Sequence, residues 1–192
     1  MTDRDITLIK LSQMGDTRAF GELVSNYDAK VMNLAVSLLG SLEDARDVYQ
    51  EIFTKVYKSL KKYRFQSEFY TWLYRITVNS CLTYRKSRSR QQEKFPMKIE
   101  DNEEFIMSKP DYDTPDTDEA LMSDEMSEMV KRAVDQLPPK QRTVIILRHY
   151  HHKKIKEIAE IMDLNEGTVK GYLFRSVRTM KDILEPYYRG EM

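Results

Sequence analysis

Apolar residues recur at steps of three and four along most of the chain, and that period predicts helices. Phe20, Leu23, Val24, Tyr27, Val31, Leu34 and Leu38 form one stripe, which Gly40 and Ser41 interrupt. A short helix before Gly15, carrying Ile6, Leu8 and Ile9, is expected to pack against its neighbours. Ser41 suits an N-cap, with Glu43 and Asp44 in the turn where a helix dipole favours negative charge. The helix it opens carries Val48, Ile52, Val56 and Leu60 on one face. Residues 61–67 are polar and mark a loop. A further helix begins near Glu68, with Phe69, Trp72, Leu73 and Ile76 directed inward. Residues 3–90 thus predict a helical bundle.

From about 91 to 118 the period is lost among Pro96, Pro110, Pro115 and many acids, which predicts a linker. Helical spacing returns with Leu121, Met122, Met126, Met129, Val130, Ala133, Val134 and Leu137, up to Pro138-Pro139. Residues 140–150 predict another helix, and "KIKEIAEIMDLNEGTVKGYLFRSVRTM" predicts two more around a tight turn at Asp163–Asn165. No stretch is rich in strand formers. The expected fold is all-α: two small helical domains, 1–90 and 119–192, joined by an acidic linker over 91–118.

The last pair has the pattern of a helix-turn-helix. Ala159 supplies a small residue where the helices cross, and Ile155, Ile158 and Met162 face inward. Leu164 sits in the turn, and Val169 and Leu173 anchor the second helix. The outer face then offers Thr168, Lys170, Tyr172, Arg175, Ser176 and Arg178 to base edges or phosphates of a major groove. Glu166, near the helix start, can cap it or accept from a cytosine amino group. A hairpin used for protein contacts remains the alternative.

Charge sharpens this division. The 192-residue chain has a formal net charge of zero, but residues 91–130 carry thirteen acids against three bases. The segments on either side each come to about +5, so two basic blocks flank an acidic connector. That suggests two contacts with polyanions. The single cysteine, Cys81, cannot form an internal disulfide, which fits a reducing compartment. No apolar run reaches the ~20 residues of a membrane span, and the first residues show no long apolar signal region, so a cytoplasmic protein without direct membrane insertion is expected. His149, His151 and His152 lack further ligands at metal-site spacing. No cofactor, metal, phosphate loop or nucleophile motif is indicated, and an enzyme is the least favoured class. Whether Cys81 or the three histidines sense anything stays open.

The segments "DARDVYQEIFTKVYKSL", "FYTWLYRITVNS" and "LPPKQRTVIILRHY", followed by the helix-turn-helix, resemble in this order the extracytoplasmic-function sigma factors of bacterial RNA polymerase. "GDTRAFGELVSNYDAKVMNLAVSLLG" is similar to that family's amino-terminal helices. The resemblance implies two domains, regions two and four. Region two would bind the β′ clamp helices of core polymerase and open the −10 element. Region four would bind the β flap and read the −35 element in promoter DNA. It also implies regulation by an anti-sigma protein, membrane-bound or not.

The resemblance gives "YRFQSEFYTWLYRITVNSCLTYRKSRSR" a role. An opened strand needs a pocket for an unstacked base, a rigid support and positive charge for phosphates. Tyr63, Arg64, Phe65, Gln66 and Ser67 form the implied pocket loop, with Tyr63 and Phe65 expected to be exposed and Trp72 and Leu73 in the core. Arg75 and Asn79 share a helix face, and Asn79 matches the asparagine that reads the flipped base in some members. Arg85, Lys86, Arg88 and Arg90 would hold phosphates. Asp47, Gln50, Glu51 and Phe53 would meet the polymerase clamp, while Glu166, Thr168, Lys170, Tyr172, Arg175 and Arg178 would meet −35 DNA. Two departures stand out. Phe65 and Gln66 replace the family's frequent Gly and Asp, and Gly171-Tyr172 replaces a Ser-Arg pair in the recognition helix. A sigma-like adaptor for an anti-sigma protein and a helix-turn-helix repressor remain the competing functions.

Overall fold

The computed structural model describes residues 2–94 and 117–189. Among these the chain forms eight α-helices and one π-helical turn, with no strand. They divide into two compact units, one built on the first four helices and the other on the remainder. The acidic connector expected over 91–118 lies largely outside the described residues. No described helix is long and apolar enough to cross a membrane.

The first unit comprises α1 (Asp3–Gln13), α2 (Thr17–Leu39), α3 (Leu42–Leu60) and α4 (Phe69–Lys94). Thr2 caps α1 and forms a capping box with Asp5. The Asp5 carboxylate also accepts from the Tyr27 hydroxyl at 3.1 Å, tying α1 to α2. Burial raises the Asp5 pKa, but the bonds from Thr2 and Tyr27 outweigh it, and the carboxyl ends below its ordinary value. Asp16 caps α2, and Gly40 ends it in the left-handed conformation at φ +76°, which glycine adopts without steric cost. Ser41 caps α3 through the Asp44 amide, as its position predicted. Val48, Ile52, Val56 and Leu60 are all buried, so the α3 stripe is wholly spent on the core. Phe69, Leu73, Tyr74, Val78 and Cys81 of α4 complete it.

The second unit comprises α5 (Thr117–Asp135), α6 (Pro139–Ile145), a π-helical turn (Ile146–Tyr150), α7 (Ile155–Met162) and α8 (Glu166–Tyr188). Leu121 and Met122, expected on the inner stripe of α5, lie outside the described side chains. Pro139 starts α6 where a missing amide costs nothing. Arg142 is buried and ion-paired with Asp135. Residues 140–150 are not one regular helix as the pattern suggested. Val144, Ile145, Ile146 and Leu147 are all buried, so neighbours surround this segment on nearly every side. The helix widens at Ile146, and the His151 amide closes the turn on the Ile146 carbonyl at 3.2 Å. Ile158, Ala159, Ile161 and Val169 are buried, giving the helix-turn-helix its apolar seam. Asp163 makes the turn at φ +55°.

Candidate nucleic-acid and partner interfaces

The loop between α3 and α4 is fastened from two sides. The Gln13 side-chain amide, at the end of α1, donates to the Leu60 carbonyl at 2.9 Å and the Tyr63 carbonyl at 2.8 Å. The Tyr63 hydroxyl donates to the Ser67 carbonyl at 2.6 Å, closing the other side. Tyr63 is therefore a buried brace, only 6% exposed, contrary to the expectation for an aromatic in a polar loop. Its ring packs on Phe69 and Trp72, and burial raises its hydroxyl pKa to about 12. Arg64, Phe65 and Gln66 are left exposed at the tip, with Ser67 half-buried behind them.

Phe65 has φ +57°, a conformation that crowds the Cβ of an L-residue and costs about 1–2 kcal/mol. Its ring lies 4.9 Å from that of Tyr63 and stays 36% exposed. Beside the tip lies a cavity of about 720 Å³ lined by Lys61, Lys62, Tyr63, Arg64, Gln66, Ser67, Trp72 and Arg75. Trp72 is only half-buried; it forms part of this wall as well as the core edge. Sequence reasoning missed Lys61 and Lys62, which had read only as loop polarity. Asn79, one turn beyond Arg75 on α4, is exposed.

The basic end of α4 is more committed than its composition implied. Arg85 is half-buried and donates to the Leu38 carbonyl at 3.1 Å, where α2 ends with unsatisfied acceptors. Arg88 is ion-paired with Asp44, whose carboxylate also accepts from Tyr84 at 2.9 Å. Lys86 and Arg90 are exposed. An exposed ion pair such as that of Arg88 is worth at most about 1 kcal/mol, so a phosphate can displace the carboxylate. On α3, Asp47, Gln50 and Glu51 face outward, Glu51 pairing with Lys55 at 2.6 Å. Phe53 is half-buried, edge-on to Tyr49 at 4.9 Å. The four thus offer three polar groups around a partly covered ring.

In the second unit Asn165, not Glu166, caps α8. Its side-chain oxygen accepts from the Thr168 amide at 2.7 Å and the Thr168 hydroxyl at 2.9 Å. The shorter amide side chain reaches the orphan donors, so Glu166 is free and exposed, while the Thr168 hydroxyl is committed to the cap. Lys170, Arg175 and Arg178 are exposed. The Arg175 guanidinium lies 5.1 Å from the centre of the half-buried Tyr172 ring, in cation–π geometry. Ser176, expected on the outer face, is instead fully buried; its hydroxyl donates to the Tyr172 carbonyl at 2.7 Å. Position 176 falls seven residues after the buried Val169, two turns along the same face.

An apolar groove of about 740 Å³ runs between α5, the π-helical turn and α8, walled by Val130, Val134, Ile145, Val177, Met180 and Leu184. Phe174 stands 72% exposed on α8. The sequence signal for this surface was an apolar stripe on α8 wider than one neighbouring helix needs.

Two weaker candidates resolve towards structure. Cys81 is buried, and burial pushes its thiol up to about 12, so it holds little thiolate. His151 is half-buried, and burial, followed by the charges of Lys153 and His152, pushes it down to about 4. Among the described residues no group of three or more potential ligands could hold a metal ion.

Comparison with known proteins agrees with this geometry. The family described as Sigma-70 region 2 matches residues 23–91, and Sigma-70, region 4 matches residues 127–180. The ECF RNA polymerase sigma-E factor of Haemophilus influenzae is 36% identical over 184 residues, covering 95% of this chain and 96% of that one. The RNA polymerase sigma-H factor of Pseudomonas aeruginosa is 34% identical over 187 residues, covering 97% of each chain. Among solved structures, the sigma factor RpoE bound to the anti-sigma factor NepR from Bartonella quintana aligns with TM-score 0.63 at 20% identity. That alignment covers 86% of this chain and 96% of the other. Two helical units with region 2 and region 4 matches in order, and near full-length relatives above one-third identity, place this chain among the extracytoplasmic-function sigma factors of the sigma-70 family.

Proposed function

We propose that the chain is a promoter-specificity subunit of RNA polymerase. It joins core enzyme, reads duplex −35 DNA with α8 and holds the opened −10 strand on the α3–α4 loop and the adjoining face of α4. The observation that carries this reading is the doubly fastened loop. Its backbone is held by Gln13 and by Tyr63, while Arg64, Phe65 and Gln66 remain exposed. A strand with unstacked bases is met best by such a pre-ordered, aromatic and cationic surface.

Asp47, Gln50, Glu51 and Phe53 meet the β′ clamp helices in this reading, and the apolar groove of the second unit takes an apolar segment of the β flap. The exposed Phe174 and that groove also suit an anti-sigma protein, which would compete with polymerase for the same surface. The division at 1–90, 91–118 and 119–192 separates the two DNA-binding parts, and all of this takes place in the cytoplasm.

The test is reconstitution with core polymerase and mapping of transcript starts. Asn79→Ala should leave core binding intact and lower open complex about tenfold or more, as loss of a base contact worth ~1–3 kcal/mol implies. Arg175→Ala should weaken closed-complex binding, with the salt slope falling by about one if the contact is a phosphate. Normal transcription from duplex promoters by Asn79→Ala, with unchanged starts and −10 preference, would overturn the assignment of the α4 face. Tight specific binding by the free chain at physiological salt would favour a repressor.

A further inference from the structure

Resting on the reading of the first unit as a single-strand binder, we infer that Lys61 and Lys62 grip the phosphates of the opened strand. In this arrangement the cavity beside them receives one nucleotide against Tyr63 and Trp72. The cavity wall carries four cations, Lys61, Lys62, Arg64 and Arg75, and no carboxylate. It also carries two aromatic rings, Tyr63 and Trp72, whose centroids are 5.0 Å apart. Cations and flat apolar rings on one wall match the two halves of a nucleotide, a phosphate and a base. The volume of about 720 Å³ falls within the ~300–1,000 Å³ of sites that admit small organic groups.

The two lysines sit on a built turn. The Lys62 amide donates to the Ser59 carbonyl at 2.9 Å, and the Tyr63 amide donates to the Leu60 carbonyl at 3.0 Å. Gln13 then holds the carbonyls of Leu60 and Tyr63, the residues on either side of the pair. The backbone at 61–62 is thus fixed while both side chains are exposed, and among the described residues neither is held in an ion pair. A fixed backbone and free cations suit a ligand whose phosphates are at set spacing. Lysine contacts of this kind carry no base preference. They add grip to every strand, while Phe65, Gln66 and Asn79 discriminate.

Lysines at the end of α3 can also serve the helix alone, by complementing its dipole. The experiment separates these roles. Holoenzyme is assembled from the full chain, wild type or K61Q/K62Q, with purified core polymerase. Fluorescein-labelled single-stranded dodecamers of adenylate, thymidylate and cytidylate are titrated across a range of KCl concentrations. Two lost phosphate contacts on single-stranded DNA should lower the slope of log affinity against log salt by about 1.4. The loss of affinity should be alike for the three sequences, and K61R/K62R should restore both slope and affinity. A lowered unfolding temperature with unchanged slope and affinity would assign the lysines to the helix end and overturn the inference alone. Failure of wild-type holoenzyme to bind any dodecamer would overturn the single-strand reading itself. Competition by adenosine monophosphate at the same phosphate concentration as the strand would reassign the cavity to a free nucleotide and overturn the strand grip.

Discussion

Replacing Phe65 separates a structural ring from a strand-stacking one. Phe65→Ala keeps a side chain at φ +57° and removes the ring, losing an aromatic contact worth about 0.5–1.5 kcal/mol beyond buried area. Phe65→Gly removes the ring and also releases about 1–2 kcal/mol of left-handed strain, less about 0.4–1 kcal/mol for a freer unfolded chain. Glycine should therefore be about 1 kcal/mol more stable than alanine and close to wild type. For a unit of this size that separates the two variants by roughly 4–8 °C in unfolding temperature. Stacking on one base is worth about 1–3 kcal/mol, so both variants should lose about five- to 150-fold in single-strand affinity as holoenzyme. Thermal unfolding of the free chain and strand titration of holoenzyme measure the two quantities independently. If Phe65→Gly binds the strand as well as wild type, the exposed ring does not stack. If it is instead destabilised by more than about 2 kcal/mol, the ring is a prop for the loop and the strain argument fails.

Gln13→Leu should cost about 1–3 kcal/mol from two lost hydrogen bonds and weaken strand binding while sparing the affinity for core polymerase; thermal melts and holoenzyme titration check this, and an unchanged melt would refute the clamp. Gly171→Ala should stabilise α8 by up to about 1 kcal/mol, because the nearest atom to a Cβ there is the flexible Arg175 guanidinium at 3.8 Å; a large loss of −35 duplex affinity alongside the gain would show that DNA needs a bare backbone at that point. His151 is held neutral with its pKa at about 4, below its ordinary 6.5. Stability linked to it is present above pH 6.5 and is lost as the pH falls towards 4; His151→Gln should flatten that part of the stability–pH curve, measured by denaturant unfolding.

The helical skeleton was legible because periodic burial leaves a periodic trace. Val48, Ile52, Val56 and Leu60 are four apart and all buried, and Ser41 announced its cap by its place before two acids. The failures share a cause: each depends on a partner distant in sequence or on a choice between adjacent polar groups. Tyr63 looked exposed because its flanks are polar, yet its hydroxyl closes on Ser67 and its ring finds Phe69 and Trp72. Ser176 looked outward because serine is polar, yet an α8 carbonyl one turn back satisfies it inside the seam. Asn165 and Glu166 stood side by side as capping candidates, and reach decided for the shorter. The π-helical turn left no local mark, since any helix-forming run can carry one. Lys61 and Lys62 were visible as charge but not as neighbours of a cavity, which exists only once Gln13 and α4 are in place.

Residue 13 lies ten positions ahead of the segment that matches Sigma-70 region 2. The amide that fixes the strand-facing loop is therefore supplied from outside the conserved core of the domain, across 47 and 50 residues of chain. A fragment trimmed to the matched segment would retain Arg64, Phe65, Gln66 and Asn79 but lose the fastening that orders their loop. It would also lose the α1 contact through Asp5 and Tyr27. The unit inherited by sequence similarity and the unit that functions thus have different edges, and a library of swapped or minimised region 2 modules should be cut ahead of α1.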